Sequence, residues 1–519
     1  MFGPDFADSA FHDHATAPRG AATPPAGAFL GAAGGSVCGD FLTVGLTIED
    51  GRITGFAFEA AGCAALTACG SALHDLVKGE NAIAAARVGR DEISAELGGL
   101  SAERIHSAVL AEEALHRALG QALGHGDARL AEASPGRRMV AMSGGVDSAV
   151  AALLLAEAGH ETVGVTLQLW DDPATDGTAS CCSPEAVTQA RRLAHDLDMP
   201  HFTVDLRDAF RKGVVDPYLA AFGDGLTPNP CVGCNGHVRF DALDEMRERL
   251  GAATLATGHY ARIERDEHGP LLAAAADDNK DQTYMLAALS ADVIGRLEFP
   301  LGAITKPEVR ERARAGGLSV AEKAESQDLC FLAGIGRDDF LRRHAGRSDE
   351  PGAILDQSGA QIGSHAGAFR FTVGQRRGLG VAAPEPLYVL ATDPQANTVT
   401  VGPQSALATG SVRLIGARLL RGSDQIDSVK LRYRNRPVRC KLTDTAGRAV
   451  GAGRHRELVV ELETPVDGAA PGQVACLLRG DAVVGWATIA RPAKGETPGA
   501  ARIRPHEVER DPRDIPVVL

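Results

Sequence analysis

Ser143-Gly144-Gly145-Val146-Asp147-Ser148 decides the fold of the chain around it. A short apolar run, Met139-Val140-Ala141-Met142, precedes it, and a helix-like segment from Ala149 to Ala158 follows and stops at Gly159. Strand, glycine turn and helix N-terminus together bind phosphate: the glycines let backbone N–H groups approach the anion, and the helix dipole favours negative charge there. No lysine follows the glycines, so the loop is not of the Walker A type. Outward from it, strand and helix patterns alternate. Val163 to Leu169 reads as strand, Pro184 to Leu197 as helix, His201 to Asp205 as strand, Ala242 to Leu250 as helix and Thr254 to Gly258 as strand. This alternation predicts an α/β domain with a doubly wound parallel sheet over residues 137–345, its ligand lying beyond the strand carboxyl ends.

The 519-residue length predicts two to four domains, and 44% apolar content is ample for their cores. A net charge of −14 argues against a generally basic nucleic-acid binder and leaves room for a local basic footprint. No apolar run reaches transmembrane length and no signal peptide opens the chain, so no membrane association is expected. Ten scattered cysteines in so long a chain read as metal or redox chemistry in a reducing cytoplasm, not as a disulfide framework.

Residues 1–125 form a separate α+β unit. A hairpin is predicted from Leu42 to Ile48 and Ile53 to Phe58 around Glu49-Asp50-Gly51-Arg52, with helices from Ala64 to Val77 and Ala102 to Leu119. Residues 126–136, rich in Gly, Ser-Pro and charge, read as a linker. Short strand patterns dominate from residue 346: Leu387 to Thr392, Thr398 to Val401, Val429 to Arg434 and Glu457 to Glu463. They predict a small central domain over 346–415 and a C-terminal β-barrel over 416–491, followed by a flexible Pro-rich tail over 492–519.

Thr227-Pro228-Asn229-Pro230-Cys231-Val232-Gly233-Cys234-Asn235 is the second chemical feature. Its Cys-x-x-Cys suits a metal or cluster edge, or a redox pair. Cys330 in Glu325-Ser326-Gln327-Asp328-Leu329-Cys330-Phe331 is a third thiol, which taken by itself reads more readily as a buried core thiol. The adjacent pair Cys181-Cys182 reads as a loop feature. Lys430-Leu431-Arg432-Tyr433-Arg434-Asn435-Arg436-Pro437-Val438-Arg439 supplies a basic stretch with a tyrosine able to stack on a base.

Ser-Gly-Gly-x-Asp-Ser resembles the PP-loop of enzymes that cleave ATP between the α and β phosphates. Together with Thr227 to Phe240, Ala256-Thr257-Gly258-His259-Tyr260-Ala261, Lys280-Asp281-Gln282-Thr283-Tyr284, Ser326 to Phe331 and Thr372-Val373-Gly374-Gln375-Arg376-Arg377-Gly378-Leu379-Gly380, it resembles the tRNA-specific 2-thiouridylase family over residues 137–490. The resemblance implies adenylation of the 2-oxygen of the wobble uridine (position 34) in tRNAs for Glu, Gln and Lys, then displacement of AMP by sulfur. It implies that Ala141, Met142 and the loop Ser143 to Ser148 hold ATP, that Leu167 and Gly258 border the adenosine, and that Asp147 helps position Mg2+-bound pyrophosphate. Asn229, Pro230 and Cys231 would lie against the target base. Cys234 matches the nucleophile and Cys330 the persulfide carrier. His259, Lys280, Asp281, Gln282, Arg432, Tyr433 and Gln473 match positions near the RNA, with Arg376 and Arg377 as further phosphate contacts. Many family members carry Asp where this chain has Cys231. Three thiolates, Cys231, Cys234 and Cys330, suit a 4Fe-4S cluster with one open iron, the reading favoured over a persulfide on Cys330.

The first 125 residues are similar to the iron–sulfur scaffold family (IscU or NifU N-terminal type). Asp13-His14, Pro18-Arg19, Val37-Cys38-Gly39-Asp40, Ala61-Gly62-Cys63-Ala64 and His106 carry the likeness. The implied ligands for an iron–sulfur cluster or zinc are Cys38, Asp40, Cys63 and His106. Ser107 stands at the third cysteine position, and Cys69 is an additional thiol able to substitute. A cysteine desulfurase, or another sulfur donor, is the implied partner. Two other functions fit parts of the chain: a PP-loop enzyme adenylating a small molecule, and an iron–sulfur carrier without thiolase activity.

Overall fold

The computed structural model describes residues 10–35, 39–126, 129–172, 183–324, 329–346 and 349–491. Cys38, the Cys181-Cys182 pair, Ser326 to Asp328 and the tail after residue 491 therefore lie outside the described residues. The chain divides into two compact units. One comprises Met1–Arg207, Ala242–His259 and Arg296–Phe331, the other Asp208–Asp241, Tyr260–Gly295 and Leu332–Leu519.

The first unit begins with an antiparallel sheet of β1 (Phe29–Gly34), β2 (Phe41–Glu49) and β3 (Arg52–Ala61). The expected hairpin joins β2 to β3. Asp50 and Gly51 take φ of 49° and 75°, the left-handed pair that a two-residue hairpin turn requires. Helices α1 (Ala64–Val77) and α2 (Ile105–His125) follow. The parallel sheet then comprises β4 (Ser134–Ala141), β5 (Glu161–Gln168), β6 (His201–Asp205) and β7 (Ala252–Thr257), with α3 (Val146–Glu157) and α4 (Pro184–Asp196) among its connections. Its order is Leu297–Glu298, β7, β4, β5, β6, every pair parallel, as the alternating pattern predicted. The strand β4 already begins at Ser134, inside the stretch read as linker.

Helix α2 is shared by both parts of this unit. Its alanines and glycines let backbones approach closely on two sides. A Cβ on Gly31 of β1 would come within 2.0 Å of Ala114 O, and one on Gly120 within 1.8 Å of Thr203 O in β6. Around this seam Arg191 of α4 pairs with Glu112 at 3.1 Å, both largely buried. His116 reaches Val88 O at 3.0 Å and His201 O at 3.2 Å.

In the second unit a short helix α5 (Pro230–Cys234) carries the Cys-x-x-Cys thiols. A four-stranded sheet, Gln361–His365, Gly352–Leu355, Thr398–Gly402 and Tyr388–Asp393, builds the central domain around Ile354, Val389, Val399 and Val401. The C-terminal strands close into a barrel, Ala408–Leu419 pairing with both Gly453–Asp467 and Ala482–Ile489, and the hairpin Arg262–Asp266 with Gly269–Ala273 adds to its edge. Leu414, Val429, Val460, Leu477 and Val484 fill its core. The basic strand expected to reach Arg434 ends at Lys430, because Arg432 to Asn435 turn, with Asn435 N donating to Arg432 O.

Candidate functional site

The phosphate loop is built as its sequence implies. Gly145 caps α3, and Gly144 takes φ +66°, where a Cβ would strike Ala186 O at 2.5 Å. Ser148 Oγ accepts from Ser143 N at 3.1 Å and donates to Gly145 O at 3.1 Å, tying the loop to the first helical turn. Gly258, after β7, must be glycine, since a Cβ would lie 2.6 Å from Ser148 N. Leu167 lies on the neighbouring strand β5, half-buried.

Two lysines that sequence reasoning missed converge here. Lys306, the first residue of α6 (Lys306–Ala315), donates to both carboxylate oxygens of Asp147, at 2.6 and 2.8 Å. Lys323 donates to Gly144 O at 2.9 Å. Arg310 of α6 holds the Lys323 segment by donating to Ala321 O at 2.7 Å and Lys323 O at 3.2 Å. A signal for Lys306 existed: a cation at a helix N-terminus opposes the dipole and needs an anion to offset it. In the same unit His259 is oriented by Thr257, whose Oγ1 lies 2.9 Å from Nδ1. Cys330 is half-buried beside Phe331, which packs edge-on against Trp170.

In the N-terminal domain Asp40, Cys63 and His106 come together, their ligand atoms all within 4.8 Å of one another. Asp40, itself buried, accepts from Cys63 N at 3.2 Å, and His106 Nε2 lies 3.5 Å from Asp40 Oδ2. A thiolate, an imidazole and a carboxylate at this spacing suit zinc or iron. Ser107 Oγ sits 3.7 Å from Cys63 Sγ, so a hydroxyl occupies the place where a further thiolate would join the set. Cys69 stands outside this group: it is fully buried in α1, and burial, then Cys63, pushes its thiol up to about 12. A second group, His14, Asp75 and Glu96, is also tight, but the Arg19 guanidinium lies 3.2 Å from both Asp75 and His14 and balances its charge.

In the second unit Asn229 starts the thiol helix. Its Oδ1 accepts from Cys231 N at 3.1 Å and Val232 N at 3.4 Å, with Pro230 at the first helical position. Cys231 is half-buried and Cys234 buried. Asn235 Nδ2 donates to Met285 O at 3.0 Å, tying the end of α5 to the segment after Lys280-Asp281-Gln282. In that segment Asp281 accepts from Thr283 Oγ1 at 2.8 Å and stands 4.0 Å from Lys430, while Gln282 Oε1 accepts from Tyr260 N at 2.9 Å. These two side chains are engaged in shaping the loop. Lys280 is half-buried, Arg432, Arg376 and Arg377 are exposed, and Tyr433 is half-buried with its ring 6.0 Å from that of Tyr284. Burial and then Asp281 push the Tyr433 hydroxyl above its ordinary range, so it stays a neutral donor. Gln473 Nε2 donates to Thr227 O at 2.7 Å.

Comparison with known proteins matches four stretches of the chain. Residues 9–125 match the family model of the NifU-like N terminal domain, and residues 137–334 that of the tRNA methyl transferase HUP domain. Residues 338–403 match the tRNA methyl transferase PRC-barrel domain and 407–489 the aminomethyltransferase beta-barrel domain. A bifunctional protein NifU/MnmA of Rubrobacter xylanophilus is 43% identical over 492 residues, covering 92% of this chain and 97% of that protein. A tRNA-specific 2-thiouridylase MnmA of Geobacter metallireducens is 41% identical over 67% of this chain and 95% of its own length. That of Chloroflexus aurantiacus is 43% identical over 68% and 98%. Among the described residues no helix is long and apolar enough to cross a membrane.

Proposed function

We infer, from the premise that this chain belongs to the tRNA-specific 2-thiouridylase MnmA family in its bifunctional NifU/MnmA form, that it is a tRNA-uridine 2-sulfurtransferase. ATP adenylates the 2-oxygen of the wobble uridine with release of pyrophosphate, and sulfur then displaces AMP to leave 2-thiouridine. The observation that carries this reading is the 43% identity running through scaffold, PP-loop, central and barrel regions together, over 97% of the bifunctional relative. A small-molecule adenylating enzyme needs neither the barrel nor the scaffold, and a cluster carrier needs no phosphate loop.

In the first unit the loop from Ser143 to Ser148 cradles the triphosphate with backbone N–H groups. Lys306 supplies the ammonium that the loop itself lacks, and Asp147, which it pairs with, would help position Mg2+-bound pyrophosphate. On the persulfide route Cys234 is the nucleophile and Cys330 the sulfur carrier, with Cys231 as a third thiol. A 4Fe-4S cluster on these three thiolates would leave one iron to bind hydrosulfide. Lys280, His259, Arg432 and Tyr433 meet tRNA of the Glu, Gln and Lys types. Asp40, Cys63 and His106, with Cys38 by the resemblance, would hold zinc or an iron–sulfur cluster in the N-terminal domain, which would take sulfur from a cysteine desulfurase and supply sulfur or cluster to Cys231, Cys234 and Cys330.

The test is tRNA thiolation with ATP and sulfide by protein purified without oxygen, before and after iron removal. Pyrophosphate release that depends on tRNA, with 2-thiouridine formed, supports the thiolase; release without tRNA sinks it. Activity lost with iron and restored by reconstitution assigns the cluster. Iron-independent activity that needs a cysteine desulfurase assigns the persulfide route through Cys330 instead.

A further inference from the structure

The peptide leading into the thiol helix is held by the barrel at both its polar groups. Thr227 N donates to Pro471 O at 2.8 Å, and Gln473 Nε2 donates to Thr227 O at 2.7 Å. A carbonyl only accepts, so this contact fixes which end of the Gln473 amide faces Thr227. Gly472, between the two anchors, takes φ +88°, and a Cβ there would come within 2.9 Å of Leu226 Cβ and 3.1 Å of Thr227 N. The clamp itself is rigid: Gly472 N donates to Ile489 O at 2.9 Å, and Ile489 N to Gln473 O at 2.8 Å. Two residues beyond Thr227, Asn229 caps the helix that carries Cys231 and Cys234.

We propose that Gln473 is a positioning residue for sulfur transfer, which sets the register of Thr227 to Asn229 and through it the direction of the Cys231 and Cys234 thiols. This rests on the thiolase reading and deepens it. Gln473 then acts on the chemistry from inside the protein. Proline at 228 and 230 makes the intervening chain stiff, so a shift at Thr227 is passed on to the helix rather than absorbed.

The test uses the full chain with two substitutions. Gln473→Met keeps shape and neutrality but removes the donor. Gly472→Ala pushes on Leu226 and Thr227 from the other side and leaves the amide in place. Three quantities are measured: tRNA Kd, kcat for thiolation, and the alkylation rate of Cys231 by iodoacetamide, read by peptide mass spectrometry. Both variants are expected to keep tRNA Kd within about threefold, to lose at least about tenfold in kcat, and to alter Cys231 alkylation at least about threefold. A Kd weakened tenfold by Gln473→Met with kcat and alkylation unchanged would make Gln473 an RNA contact and overturn the proposal, as would wild-type values throughout. If wild-type protein fails to thiolate tRNA, the thiolase reading falls, and the alkylation rates still decide the positioning role.

Discussion

Lys306 begins a helix, where a cation opposes the dipole, and it is tolerated because both oxygens of Asp147 receive its ammonium. Lys306→Met is therefore expected to reduce tRNA-dependent pyrophosphate release by about 10²-fold. Because Asp147 stays about a third exposed, the stability loss should be only about 1–2 kcal/mol, read from urea unfolding. Gly144→Ala combines a left-handed φ of +66° with a contact at 2.5 Å to Ala186 O. It should cost about 1–3 kcal/mol and weaken ATP binding measured by calorimetry. The loop was legible in the sequence because its six residues are contiguous. The pairing of Lys306 with Asp147 was not, because the two meet across 159 positions and no local pattern joins them.

Helix α2 shows how a local rule misleads when tertiary packing overrides it. The sequence pattern predicts a helix ending at Leu119, yet the helix runs on through Gly120 and Gly124 to His125. Those glycines serve packing: Gly120 lies on Thr203 O, and a Cβ on Gly124 would meet Val204 Cγ1 at 2.7 Å. Gly120→Val should accordingly wedge the seam apart, costing about 2–3 kcal/mol and splitting a single thermal transition of this unit into two in scanning calorimetry. The seam is also sensitive to acid. Burial, then Arg191 and His195, hold the His201 imidazole well below its ordinary value of 6.5. Below pH 6.5 the unfolded chain takes up a proton that the folded chain refuses, so stability falls as pH falls. The loss from this one group sets in near pH 7.5 and deepens toward pH 5.5. Urea unfolding of His201→Asn at both pH values should lack that increment.

Across the molecule, the order of residues along the chain is a poor guide to which of them pack together. The α/β pattern predicted one domain over 137–345, and its strands are all present in the expected parallel sheet. Residues 137–334 match one domain family, while by packing the stretches Asp208–Asp241 and Tyr260–Gly295 group with the barrel strands, so Cys231 and Cys234 sit in one compact unit and Cys330 in the other. Periodicity reports the face an element buries, not the partner it is buried against, and the hydrogen bonds from Thr227 and Asn235 to distant segments leave no trace in it. Were the chain cut between residues 126 and 129, the two pieces should stay together on size exclusion, because Glu112, His116 and Gly120 keep hold of Arg191, His201 and Thr203. The fused N-terminal domain thus also acts as a shield. β6 is the last strand of its sheet, and α2 is what lies against it. Deleting residues 1–126 would bare that strand's margin to solvent, and a bare margin invites a second copy to add its own strand there, so the shortened enzyme should precipitate or dimerise before its loss of a sulfur source is felt.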